Sequence, residues 1–321
     1  MQYSQNDFVL GDGSKLVQGI RRIVPSVKLT LFDKDQTTDK RFTAQFKSFL
    51  LKEDGLKFET VIATPDTFDV VSNVSTDKSL NRLTLSFSEN RILFPYSVEL
   101  TTDQGKDFVR TGLTASYFFN YAKGGMKARL FAGKFFYTKA KTVQQQFATA
   151  DYHLNMTGPK GNEDYTYSDY FVGRNEFDGW RSQQIMERDG FFKVRTDFLG
   201  DKIGKTDDWL ISMNLVTDIP DNINPLSVLP IKIPIKIFAD IGTYAEAWKQ
   251  ETSTGRFLYD AGIQVSLFKS LVNVYLPLIY SKVYGNYFKS TITEKRFLRN
   301  MSFNIDLQQL KLNKLLPVIG L

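Results

Sequence analysis

The 321-residue chain contains no cysteine and a single histidine, His153. The first absence excludes disulfides and thiolate chemistry. The second removes most zinc-catalytic arrangements, which take three protein ligands that usually include histidine. Long apolar runs are missing as well. No stretch of about 18 apolar residues occurs, so no membrane-spanning helix is expected. Apolar residues at helical spacing come only in short pieces, broken by Gly, Pro or β-branched residues. Charge of one sign is not concentrated either. The 41 Lys and Arg against 35 Asp and Glu leave +6, dispersed along the chain without the basic stripe that nucleic acid requires. Residues 1–13 are polar and lack the apolar core of a secretory signal. For an envelope protein this implies that a signal has been removed, or that the chain is the C-terminal part of a longer protein.

What is present is alternation with a period of two, repeated along nearly the whole length. Val27, Leu29 and Leu31 share one face, and Phe42, Ala44 and Phe46 oppose Thr43, Gln45 and Lys47. Further on, Ile235, Ile237, Ala239 and Ile241 oppose Lys236 and Asp240, and Tyr259, Ala261, Ile263 and Val265 oppose Asp260 and Gln264. Phe192, Val194 and Phe198 against Lys193, Arg195 and Asp197 read as another strand. The polar faces carry ions in mid-strand (Lys47, Arg82, Glu99, Arg129, Lys236, Asp260), which suits a wet lumen, while the opposite faces are apolar and bulky. Trp209, Tyr244, Tyr259, Tyr280 and Phe297 fall near strand ends, where an interfacial girdle places aromatics. A mean hydropathy of -0.26 fits a chain of which every second strand residue meets lipid. The expected fold is all-β: an antiparallel transmembrane β-barrel of about 12–16 strands, each of about 9–11 residues. A soluble β-rich binding protein also alternates and stays open as a reading. The expected organisation is an N-terminal linker over 1–20, the barrel over 21–310 with a long, partly structured loop at 137–188, and a tail over 311–321.

The order FADIGTY (238–244), LYDAGIQVSL (258–267), LVNVYLPL (271–278) and SFNID (302–306) resembles the closing strands of the surface-antigen barrel family, which includes the outer-membrane assembly insertase. RLFAGKFF (129–136) and YFVGRNEFDGWRSQQIMERDGFFKVRTDF (170–198) are similar to the barrel regions that follow some gluzincin metallopeptidases of the aminopeptidase-N type. The resemblance covers roughly residues 90–310. It implies a barrel in the outer membrane of a Gram-negative bacterium, anchoring an N-terminal zinc peptidase missing from this chain. Lipid and the barrel-assembly machinery are the implied partners. The alternative it carries is a barrel that itself inserts or translocates polypeptides. The chain departs from both patterns: the peptidase's His-Glu-x-x-His is absent, and Asp178-Gly179-Trp180-Arg181 stands where an Arg-Gly-Phe tip is expected.

No catalytic, cofactor or metal site is expected. His153 lies between Tyr152 and Leu154 without a Gly-x-Ser-x-Gly elbow. Asp33, Asp35 and Asp39 lack the glycine and distal glutamate of a calcium loop, and Gly11–Lys15 lacks the spacing of a phosphate loop. The most function-like cluster is Arg174, Glu176, Asp178, Trp180 and Arg181, with Gln183 and Gln184. Folded into the lumen, its arginines are expected to pair with wall carboxylates such as Asp240 or Asp260 and plug the pore. A solvated loop is the other reading of that segment.

Overall fold

The computed structural model describes residues 2–9, 17–34, 38–63, 66–122, 124–139, 153–159, 166, 172, 180–194, 203–220, 224, 234–250, 254–268 and 270–306. The chain is all-β, with few helices. Antiparallel strands β1 (Gln2–Val9), β2 (Val17–Val24), β3 (Ser26–Lys34), β4 (Thr38–Ala63), β5 (Asp66–Arg91), β6 (Tyr96–Gln104), β7 (Phe108–Tyr121) and β8 (Gly124–Tyr137) are followed by the short β9 (Leu154–Asn155) and β10 (Lys205–Thr206). Then come β11 (Trp209–Asp218), β12 (Ile235–Tyr244), β13 (Leu258–Leu267), β14 (Val272–Tyr280) and β15 (Ser302–Ile305). Thirteen of these form one sheet in the order β1-β2-β4-β5-β6-β7-β8-β11-β12-β13-β14-β15, with β3 pairing β4 beyond the Pro25 break. β9 and β10 pair only with each other.

Two helices, α1 (Lys282–Thr291) and α2 (Arg296–Arg299), fill the connection between β14 and β15. Among the described residues no helix is long and apolar enough to cross a membrane, which says nothing of strands that cross. Tyr284, Tyr287 and Phe288 stand at i, i+3 and i+4 of α1, and all three are buried against the sheet's core.

Two parts of the sequence reading are corrected here. Residues 2–9 and 17–24 are strands rather than linker, because VQGIRRIV carries enough apolar residues to continue the sheet beside β4. Residues 192–194 are irregular rather than strand and lie fully buried against the sheet. The 311–321 tail falls outside the described residues.

Strand alternation gives the sheet two unlike faces. The face bearing Val27, Leu29, Leu31, Phe46, Leu130 and Ile237 is bare, with Leu29 57% and Ile237 48% exposed. The opposite face carries the core. Phe49, Leu51, Leu80, Phe131, Leu210 and Leu258 pack there with Leu154, Met156, Phe192 and the aromatic side chains of α1. The ions are on this covered face too. Asp103 on β6 is gripped by Arg82 of β5 through two hydrogen bonds of 2.6 and 3.0 Å, and by Arg110 of β7. Tyr244, expected in the girdle, is buried on this face at 2% exposure, whereas Tyr259 and Phe297 are exposed; Ile235, which shares the bare face with Ile237, is buried.

The two ends of the sheet also differ. The registers place the turns at 92–95, 122–123 and 268–271 at one end, together with the longer 219–234 connection. The connections 138–208, 245–257 and 281–301 all leave the other end.

Candidate functional site

Residues 180–194 form a strap along the covered face. It begins as a 3-10 turn at Trp180–Gln183 beside the β15 edge. There Gln184 bridges Phe303 in parallel and the Ile185 N–H donates to the Phe303 carbonyl at 2.8 Å. It then crosses six consecutive strands of the sheet. Arg129 of β8 donates to the Asp189 carbonyl (2.9 Å), and Asn214 of β11 donates to the Gly190 carbonyl (2.9 Å). Lys193 Nζ donates to Asp240 of β12 (3.0 Å), and the Lys193 N–H to Asp260 of β13 (2.9 Å). The Phe191 ring meets Tyr275 of β14 edge-on at 6.1 Å, and the Ser302 hydroxyl of β15 donates to the Lys193 carbonyl.

Local backbone geometry makes this crossing possible. Asp189 and Phe191 both adopt the left-handed region, with φ of 48° and 49°, on either side of Gly190. Such conformations cost about 1–3 kcal/mol each and persist only where surrounding contacts over-determine them. A Cβ on Gly190 would come 2.3 Å from the Met156 carbonyl oxygen, so only glycine allows the strap to lie against 154–159. The backbone pairs there, Gly190 N–H to Asn155 O at 3.1 Å and Phe192 N–H to Met156 O at 2.8 Å.

The centre of the strap is a buried ionic cluster. Lys193 Nζ also donates to the Phe191 carbonyl (2.8 Å) and lies 4.0 Å from the Phe191 ring centroid. That surrounds the ammonium with acceptors and a π-face, as a buried cation requires. At the rim, the Lys127 and Arg129 charges beside the exposed Glu187 hold its carboxyl below the usual carboxylate range.

Of the residues singled out in sequence, Asp240 and Asp260 sit at the heart of this site. Arg174, Glu176 and Asp178 lie outside the described residues. Trp180 is 62% exposed and packs near the Phe303 ring at 5.7 Å. The Arg181 guanidinium is exposed and lies 6.0 Å from the Trp180 ring centroid. Gln183 and Gln184 are buried, the first donating to the Leu298 carbonyl (2.9 Å), the second accepting from the Val172 N–H (2.7 Å). The carboxylates are therefore met by Lys193 instead of Arg181. Sequence reasoning missed Lys193 because its alternation with Phe192 and Val194 imitates a strand.

Half-buried His153 immediately precedes β9. Asp39 accepts from Arg41 Nε at 3.0 Å on an exposed strand end. Among the described residues no group of three or more His, Asp or Glu is placed to hold a metal ion. No protein-family model and no curated protein matches the chain.

Proposed function

We propose that the sheet closes on itself as a transmembrane β-barrel of a Gram-negative outer membrane, with the bare face toward lipid and the strap filling part of the lumen. The observation that carries this reading is the distribution of the two chemistries. Large apolar side chains stand exposed on one face from β3 to β14, while arginines, lysine and aspartates are buried on the other. A sheet in water is expected to do the opposite, because apolar burial is what drives it to fold. In hydrocarbon the exposed edges of β3 and β15 would strand their N–H and C=O groups, so closure follows from the same premise. Three short turns stand at one end beside the 219–234 connection, and three long connections leave the other, an asymmetry in keeping with the periplasmic and extracellular ends of such barrels.

The role we infer for this barrel is mechanical. It anchors and orients an N-terminal envelope domain, for which the resemblance to gluzincin-associated barrels points to a zinc metallopeptidase. Its partners are outer-membrane lipid, the barrel-assembly machinery during biogenesis, and that domain. The test is to delete residues 21–306 from the full-length protein and fractionate cells. Release of the remaining domain from the outer membrane into the soluble fraction is expected. Its retention in the membrane contradicts the anchor role. A defect in the assembly of other outer-membrane proteins, without such release, favours an insertase instead.

A further inference from the structure

The strap's ionic cluster has one more acceptor group than its donors account for. Asp240 Oδ1 accepts from Lys193 Nζ (3.0 Å) and from Asn214 Nδ2 (2.9 Å). Asp260 Oδ2 accepts the backbone N–H groups of Lys193 (2.9 Å) and Val194 (3.0 Å). The other two oxygens, Asp240 Oδ2 and Asp260 Oδ1, are buried without a hydrogen-bond donor among the described residues. Yet the two residues are direct cross-strand partners on β12 and β13, so their side chains leave the sheet side by side on the covered face. Two lone-pair-bearing oxygens facing each other in a dry interior repel, and each also forfeits its hydration.

The charge count leads to the same place. Lys193 supplies one positive charge against two carboxylates. Among the described residues, the other charged or titratable groups facing the cluster are Arg129, Glu187 and Asp189, with Lys127 behind them, and the hydroxyls of Tyr275 and Tyr284. Lys127 pairs with Glu187 at 2.8 Å and Arg129 stands between Glu187 and Asp189, so these two cations and two carboxylates offset one another. The tyrosines carry no charge in their protonated form, and burial of Tyr284 makes its ionisation harder still. One negative charge is left over.

We infer that Asp240 and Asp260 bind a single proton between them, and that this proton latches the strap to the sheet. It resides on Asp260 Oδ1 and is donated to Asp240 Oδ2, because Asp240 is the partner that faces the lysine ammonium. The O–H···O⁻ bond satisfies both orphan oxygens and makes Lys193, Asp240 and protonated Asp260 neutral as a set. Removing the proton leaves two carboxylates on one ammonium, which drives them apart and loosens residues 193–194, whose N–H groups Asp260 holds.

The carboxyl pair therefore predicts asymmetric behaviour. An asparagine at 260 reproduces the protonated acid: its oxygen accepts the two N–H groups and its amide donates to Asp240. An asparagine at 240 removes the lysine's counter-ion. The experiment is infrared spectroscopy of the folded chain in ordinary and heavy water, with trypsin cleavage at Lys193 followed from neutral to alkaline pH. The wild type should show a protonated-carboxyl stretch at neutral pH that shifts on deuteration and vanishes in Asp260→Asn. Asp260→Asn should resist trypsin like the wild type at neutral pH and, unlike it, stay resistant at alkaline pH. Asp240→Asn should be cut at least about ten-fold faster. If Asp260→Asn does not fold, the wild-type carboxyl band alone decides. Absence of that band overturns the inference. So does a strap that opens equally in both variants, or one whose protection in the wild type depends on alkali cations in place of a proton.

Discussion

Lys193 Nζ lies 3.0 Å from Asp240 Oδ1, with both side chains sealed from solvent at 1% and 0% exposure. One residue belongs to an irregular strap and the other to the middle of a strand, and their contact ties a connection at one end of the sheet to its interior. Removing one member of such a pair leaves an uncompensated buried charge, which costs about 3–5 kcal/mol. Lys193→Met should therefore lower the unfolding free energy of the purified chain by that amount in denaturant titration. Lys127→Met should change it by less than about 1 kcal/mol, because Lys127 pairs with Glu187 near the surface, with side chains 46% and 39% exposed.

Gly190→Ala places a methyl group 2.3 Å from the Met156 carbonyl oxygen, where backbone rather than a flexible side chain must yield. Overpacking of this kind costs about 1–3 kcal/mol or more. The expected result is a strap that proteases reach, with a lower melting temperature. Gly255→Ala, whose nearest contact would be an ordinary 3.6 Å, should leave both unchanged.

Period-two alternation made most of the sheet legible. Ile237, Ala239 and Ile241 point one way and Lys236, Phe238 and Asp240 the other, as the spacing requires. The same rule misled at Phe192, Lys193 and Val194. Alternation reports side-chain direction, not where backbone N–H groups find acceptors. Here the Lys193 and Val194 N–H groups are taken by the Asp260 carboxylate instead of a neighbouring strand. The site was half legible: Asp240 and Asp260 stood out as carboxylates on apolar strands, but the cation that meets them lies 47 and 67 residues away in sequence. No local pattern marks it.

The bare face should be intolerant of charge if it meets hydrocarbon. A basic residue at the bilayer midplane of a barrel costs about 2–4 kcal/mol, falling toward zero near the interfaces. Ile237→Arg, in the middle of the bare face at 48% exposure, should prevent or weaken folding into detergent micelles. Leu298→Arg, at 57% exposure in α2 beyond the strands, should fold normally. Equal tolerance at both positions speaks for a sheet in water.

Orientation can be read on intact cells. A cysteine introduced at Lys289, exposed on α1 at the end bearing the long connections, should react with an impermeant maleimide. One introduced at Ala122, in the tight turn between β7 and β8, should react only after the outer membrane is permeabilised. The reverse pattern inverts the assignment of the two ends.

The account's central claim is that the bare face touches lipid, and spin-label accessibility at Ile237 tests it most directly. The label should be attached through a cysteine at that position in the chain reconstituted in phospholipid bilayers, with Lys289 labelled in parallel. Dissolved oxygen concentrates in hydrocarbon and a charged nickel chelate stays in water. The account predicts that oxygen relaxes the label at 237 strongly and the chelate hardly at all, with the preference reversed at 289. A label at 237 that the chelate relaxes as readily as the one at 289 contradicts it.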